Sequence, residues 1–136
     1  MTNEAALRDR IEDPLDFTVG SGDAIEKGAL LGLVDPRVAS GSYTASSPCA
    51  GIAAREKIAG DGRTQLAVFR RGVFDMVASG AIQVGDPVAM EVNNHVIAAV
   101  NTLSGAEIIG HALETGTAGE RIQIYLNVGC GPVDAT

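Results

Sequence analysis

An internal repeat is the feature that most constrains how this chain of 136 residues can fold. Residues 21–28 return as residues 79–85, residues 51–56 return as residues 110–114, and the segment around Gln65 returns around Gln123. The three offsets are 58, 59 and 58 residues and occur in one order along the chain. They indicate a duplicated structural unit, with pseudo-repeats at about residues 19–72 and 77–129.

The repeated units are short apolar runs separated by glycine turns. Strand-like runs at this spacing are typical of a β-sandwich or a β-barrel. We therefore predict an all-β fold, a small β-barrel or β-tulip-like domain, over residues 17–136. Because one copy of roughly 55 residues buries too little surface for a stable core of its own, we expect both copies to share one barrel.

Three segments show how the predicted strands should face. Residues 29–34 are apolar on both faces, which indicates full burial and suggests extra burial between subunits. In residues 64–70 the alternation places Leu66 and Val68 on one side. The asparagines at positions 93 and 94 favour a tight hairpin loop, since asparagine tolerates the left-handed region, and we expect His95 at its solvated tip.

Residues 1–16 differ from the rest and are predicted to form a separate N-terminal arm. They are rich in charge and contain no glycine. Leu7, Ile11 and Leu15 recur every fourth residue, which predicts a short helical turn with Asn3 as its cap. A helix this short is marginal alone. We expect the arm to become ordered only against a partner; the alternative is a disordered tail.

Composition and charge exclude several classes of function. A net charge of −7 disfavours binding to a phosphate backbone, so no direct nucleic-acid partner is expected. No apolar run approaches the roughly 20 residues that span a bilayer. The N-terminus is polar and does not resemble a secretory signal. We therefore expect a soluble protein that is made inside the cell and has no membrane partner.

Residues that carry chemistry are present without a catalytic arrangement. No phosphate-binding loop and no nucleophile elbow occur. Cys49 and Cys130 are not spaced for metal; two buried thiols and a disulfide both remain open. His111 takes the place of Ile52 in the repeat, which indicates a core or interface histidine. We expect no enzyme activity and no catalytic, metal or cofactor site.

Several motifs in a set order carry a family resemblance across most of residues 17–128. They are Gly-Val-Phe at 72–74, Gly-Asp-Pro-Val at 85–88, Ile-Gly-His-Ala-Leu-Glu at 109–114, residues 118–126, and the runs at 27–35, 50–53 and 64–74. In this order they resemble the head-decoration, or cement, proteins of tailed viruses, including the lambda-type decoration protein. The motifs are structural glycines and apolar positions, so they indicate fold more strongly than role.

The resemblance implies a trimer of small β-barrels that is made in the host cytoplasm and sits on the outer capsid surface of the virion. It would sit at threefold and quasi-threefold positions, bind the major capsid protein and stabilise the shell by bridging capsomers. The arm would add a strand to an exposed sheet edge of the capsid protein. The expected capsid or subunit contacts are Leu7, Ile11, Leu15, Phe17, Arg70 and Arg71.

Some alternatives remain beside this interpretation. The basic pair Arg70 and Arg71 either binds carboxylates of a neighbouring subunit or forms a solvated strand end. The whole chain is alternatively a module on the virion exterior that recognises a host-surface ligand, although the absence of Trp leaves few aromatic platforms for sugars. An enzyme subunit is a third class, and it would need a charged cleft that no motif marks.

Overall fold

The computed structural model describes residues 3–44, 47–99 and 107–132, without the side chains of residues 129–132. These residues carry eleven named β-strands, which agrees with the predicted all-β fold. The strands are β1 (Ala6–Arg10), β2 (Leu15–Thr18), β3 (Leu30–Val34), β4 (Val38–Ser40), β5 (Cys49–Ala53), β6 (Gln65–Phe69), β7 (Arg71–Ala78), β8 (Pro87–Glu91), β9 (His95–Ala98), β10 (Glu107–Ala112) and β11 (Arg121–Pro132).

Each copy of the repeat closes its own ring of strands. In the first copy the order β2-β4-β3-β5-β6 returns to β2 and forms a closed barrel, called barrel 1 here. In the second copy the order β7-β11-β10-β8-β9 returns to β7 through a parallel pairing and forms barrel 2. The parallel pairing in barrel 1 joins β2 and β4, at the matching place. The two rings therefore have the same topology.

This arrangement corrects the expectation that both copies share one barrel. The two copies nevertheless depend on each other for burial, because the two small barrels bury a common core. One apolar cluster fills barrel 1, but the larger cluster combines the inside of barrel 2 with Leu30, Cys49, Ile52 and Phe69 from the outside of barrel 1. Surface that one copy cannot bury alone is buried against the other copy.

The same contact explains why residues 29–34 are apolar on both faces. Leu31 points into barrel 1, whereas Leu30 packs into the shared cluster with barrel 2. The extra burial predicted between subunits is therefore found, for Leu30, within the chain. Toward the end of the strand the prediction of full burial fails, since Val34 is 49% exposed.

Two matched glycines show where the repeat is required by packing. A Cβ atom at Gly51 would lie 2.1 Å from the carbonyl oxygen of Phe69, and one at Gly110 would lie 2.0 Å from that of Tyr125. Both glycines sit beside a break in the strand register. A side chain at either position would displace the neighbouring strand, so the barrel geometry itself calls for glycine.

The third match of the repeat is shifted by two residues in the structure. Ala53 pairs with Val68 and Ala112 pairs with Ile124, so the equivalent of Gln65 is Arg121 rather than Gln123. The first copy has the longer β5–β6 hairpin, which causes the shift. Because side chains alternate with period two along a strand, a shift of two residues preserves which of them face the core.

The N-terminal arm is a strand rather than the predicted helical turn. β1 pairs antiparallel with β7 of the same chain, with Ala6 opposite Asp75 and Arg10 opposite Gly72. The expectation that the arm becomes ordered only against a partner is therefore wrong for these residues. Strand pairing satisfies the backbone groups that an isolated helical turn would leave open. β2 begins at Leu15, inside the predicted boundary of the arm at residue 16.

Candidate binding surfaces

The junction between the two barrels is organised by Asn94. Its Oδ1 accepts a hydrogen bond from the Leu30 N–H at 2.5 Å, and its Nδ2 donates to the carbonyl oxygens of Gly28 and Asn3 at 3.1 and 2.8 Å. Asn94 has a φ of 63°, as predicted for an asparagine hairpin. His95 was predicted at a solvated tip, but it is half-buried against Asn3, and the adjacent Asn94 is buried.

Tyr43 also holds the two barrels together at the junction. Its hydroxyl donates to the Glu91 carbonyl at 2.8 Å and accepts from the Asn94 N–H at 3.2 Å. Burial raises the pKa of Tyr43 to about 12, so the phenol stays protonated and able to donate at neutral pH. The sequence around Tyr43 indicates only strand propensity, because a hydrogen bond across 51 residues leaves no local pattern.

Barrel 1 contributes an outward apolar face to this junction, called the first docking face here. Its members lie on β3, β5 and β6 and are Leu30, Cys49, Ile52 and Phe69. The Phe69 ring meets the Phe74 ring of barrel 2 edge to face at 5.7 Å. This face covers the end of barrel 2 where the β8–β9 hairpin, the start of β10 and the end of β11 come together.

Barrel 1 has a concave apolar site at one end, called the open end here. It has a volume of about 550 Å³. Its lining consists of Leu15, Phe17, Leu33, Val34, Asp35, Arg37, Pro48 and Arg70. Three of the six contact residues named from the sequence, Leu15, Phe17 and Arg70, therefore meet in one site. Leu15 is 45% exposed there, whereas the Phe17 side chain is buried.

The open end has two cations, Arg37 and Arg70, and one carboxylate, Asp35, in its lining. The guanidinium groups of Arg37 and Arg70 lie 5.1 and 5.7 Å from the centre of the Phe17 ring, within the range of cation–π attraction. Arg70 also donates to the Ala50 carbonyl at 3.4 Å. Apolar walls beside two guanidinium groups suit an occupant that offers an aromatic side chain.

A second concavity, the arm groove, runs between β1 and barrel 1 with a volume of about 890 Å³. Leu7, another of the predicted contacts, lines it and is 40% exposed. The ionisable residues in its lining are Glu4, Arg10, Lys27, Arg55, Glu56 and Arg63. Four cations against two anions leave the groove positive by two charges, on a chain whose net charge is −7.

The remaining predicted contacts, Ile11 and Arg71, lie outside both concavities as far as their described linings show. Ile11 is 42% exposed between β1 and β2. Arg71 donates to the hydroxyl of Tyr125 at 3.0 Å, and this hydrogen bond raises the pKa of the Arg71 guanidinium. The basic pair therefore separates, with Arg70 at the open end and Arg71 on the outside of barrel 2.

Cys49 is a buried residue rather than a candidate nucleophile. Burial raises the pKa of the Cys49 thiol to about 12, so this free cysteine is a poor nucleophile at neutral pH. Cys130 lies outside the described side chains, so its partner stays open. Within the described part of the chain, no cluster of three His, Cys, Asp or Glu could hold a metal ion. Nor does any helix there have the length and apolarity to cross a bilayer.

Lys57 is a buried cation that sequence reasoning missed. Its Nζ donates to Asp61 Oδ1 at 2.7 Å and to the carbonyl oxygens of Ser21 and Ile58 at 2.9 and 3.0 Å. The hydrogen bond from Lys57 lowers the pKa of the Asp61 carboxyl. The i,i+4 spacing across a predicted turn was the only available signal, and it is too common to be informative.

Comparison with known proteins agrees with this geometry. A family model described as phage cement protein matches residues 10–128. Among solved structures, the crystal structure of the head fiber gp8.5 N base in bacteriophage phi29 matches with a TM-score of 0.56 and 17% identity, covering 83% of this chain and 93% of that chain. A search of curated proteins found no match. At this identity the structural match speaks for the fold, whereas the family match spans both barrels, and the chain belongs to the phage cement protein family.

Proposed function

We propose that this protein decorates the outer surface of a phage capsid as a homotrimer and stabilises the shell by bridging capsomers at threefold and quasi-threefold positions. The family match carries this proposal, because it extends over residues 10–128 and so includes both barrels rather than one short motif. The structural match to a protein described as a head fiber base supports the same location. Linked weak contacts to several capsid subunits would hold the shell more tightly than any single contact.

The arm and its groove are the surface that we assign to the major capsid protein. Leu7 and Ile11 are large apolar side chains that remain exposed beside a positively charged groove. An extended acidic segment of the capsid protein would bury these side chains and approach the cations of the groove. Since the arm is already ordered on β7, binding there would not require it to fold first.

A binding assay on expanded capsids of the same phage tests this assignment. We expect the double variant Leu7→Glu and Ile11→Glu to lower occupancy at a given protein concentration by about tenfold or more, because two apolar contacts become charged. The matched control is Val84→Glu with Ile58→Glu, which changes two residues that are 64% and 62% exposed outside the arm. Thermal unfolding verifies that both variants fold.

Two outcomes would contradict the proposal. Unchanged occupancy of the arm variant would show that the arm is not the capsid contact. Failure of the unmodified protein to bind any capsid form would contradict the decoration role itself. Cryo-electron microscopy of decorated capsids then decides the position, since density away from the threefold and quasi-threefold axes is incompatible with the proposal.

A further inference from the structure

The open end of barrel 1 has a counterpart in barrel 2 that is covered. Leu15 corresponds to Phe74, because they pair with the equivalent residues Val68 and Ile124. By the same reasoning Leu33 corresponds to Met90, since each lies opposite an equivalent residue of the following strand. Phe74 and Met90 are buried in the shared cluster, beneath the first docking face.

The face that covers barrel 2 also has a counterpart. Leu30 pairs with Ile52 and Ile52 with Phe69, just as Pro87 pairs with His111 and His111 with Tyr125. Cys49 likewise corresponds to Ile108 through the matching pairs with β3 and β8. Pro87, Ile108, His111 and Tyr125 thus form a second docking face on the outside of barrel 2.

We propose that the second docking face of one copy covers the open end of barrel 1 in a second copy of this chain. The contact would repeat between chains the junction that joins the two barrels within a chain. It is a head-to-tail contact, which closes into a ring when the rotation fits. The inference rests on the proposed function and deepens it, because it names the surfaces that hold the trimer together.

The differences between the two docking faces support this assignment. His111 and Tyr125 stand where the first face has Ile52 and Phe69, and Arg70 stands at the position of Leu126 in the covered end. A face that stays buried within the chain can be fully apolar. The second docking face and the open end would stay exposed until the trimer assembles, and polar groups there limit nonspecific association. His111, Tyr125 and Arg70 supply these groups.

The chemistry of the two partners is complementary. The counterpart of the Phe69–Phe74 contact is a contact between Tyr125 of one copy and Leu15 of the next. Arg71 already holds the Tyr125 hydroxyl at 3.0 Å, which orients the ring before the partner arrives. At the open end, the guanidinium groups of Arg37 and Arg70 lie over the Phe17 ring and would offer cation–π contacts to the incoming aromatic ring.

Sedimentation velocity of the full chain over a range of concentrations tests the interface. We expect a trimer for the unmodified protein, and a dissociation constant about tenfold higher or more for Leu15→Glu and for Tyr125→Ser, which change the two sides separately. Ile58→Glu, on an exposed position of barrel 1 away from the open end, should leave the trimer intact. Circular dichroism establishes that each variant folds. A monomer at all concentrations, or trimers unaffected by both variants, would overturn the inference.

Cross-linking between copies provides a second test that is independent of affinity. Copies carrying Leu15→Cys are mixed with copies carrying Tyr125→Cys and mildly oxidised. We expect a disulfide between the two variants and none when Ile58→Cys replaces Leu15→Cys. Absence of the first bond in intact trimers would refute the contact while leaving capsid decoration unaffected. Conversely, formation of the bond in a protein that binds no capsid would contradict the proposed function alone.

Discussion

Barrels 1 and 2 have the same strand order but different surroundings. Barrel 2 has its end covered by the first docking face and its β7 edge flanked by β1. At the corresponding place barrel 1 has the open end, and among the described residues Leu15 pairs only with β6. A duplicated fold therefore does not imply duplicated contacts. The places where the copies differ in environment are where an external partner is expected.

The largest effect is expected at Gly51 and Gly110, the matched glycines that test whether the two barrels are structurally equivalent. Substituting alanine at either site should lower the free energy of unfolding by about 2–3 kcal/mol, because each new Cβ would overlap a carbonyl oxygen of the neighbouring strand. Denaturant unfolding of both variants measures this. Gly60, where a Cβ would meet no atom within 4 Å, is the control, although its φ of 77° adds some backbone strain. A large cost at only one of the matched sites would break the equivalence.

A second test separates the covered end from the open end. Asn94→Ala should lower the free energy of unfolding by about 2 kcal/mol, because the Leu30 N–H loses a buried acceptor. Arg37 occupies the equivalent turn position, with a φ of 58° against 63°, but is exposed. Arg37→Ala removes a cation–π contact with Phe17 at the surface, so it should lower the free energy of unfolding by less than about 1 kcal/mol. If denaturant unfolding gives similar losses of unfolding free energy for the two variants, the hydrogen bonds of Asn94 at the junction add nothing to stability.

The smallest effect concerns the ion pair between Lys57 and Asp61 in barrel 1, which has no counterpart among the described residues of barrel 2. The backbone of Lys57 forms an isolated β-bridge with Ile25, and the corresponding β-bridge in barrel 2 joins Gly116 to Ile82, so glycine stands there in place of the lysine. Since Lys57 lowers the pKa of Asp61, the stability from this pair is complete above the ordinary pKa of an aspartate, about 3.9. It is lost as the pH falls through the lowered pKa of the folded state.

Asp61→Asn should therefore weaken the acid dependence of the melting temperature between about pH 2 and 5. Asp16→Asn, at an exposed position on β2, is the control. A melting profile that keeps the full acid dependence without the Asp61 carboxylate would show that this pair does not couple folding of barrel 1 to pH.

Much of the fold could be predicted because β-structure leaves a local signal. Leu66 and Val68 lie two residues apart on one side of β6 and face the core as expected. The loop at Asn93 and Asn94 has the positive φ angles that asparagine favours. The arm was predicted incorrectly because a spacing of four between apolar residues also occurs by chance: Leu7 lies on the exposed strand β1, and Ile11 follows its end, both outside the core.

The candidate site was only partly accessible to sequence reasoning. Leu15, Phe17 and Arg70 were chosen separately and lie together at the open end. Tyr43 and Asn94 were missed as the residues that hold the junction, because their partners lie at least 48 positions away. The substitution of His111 for Ile52 was visible in the repeat. Its exposure excludes a core histidine in this chain, and its place on a docking face required the strand registers.

The sequence by itself determined the duplication, the strands, the turns that need glycine and the membership in the phage cement protein family. Only the tertiary structure decided that each copy closes separately and that one barrel covers the other. The physical reason is that alternation specifies which side chains avoid water but not what they pack against. One shared barrel and two joined barrels satisfy the same pattern, and contacts between distant residues choose between them.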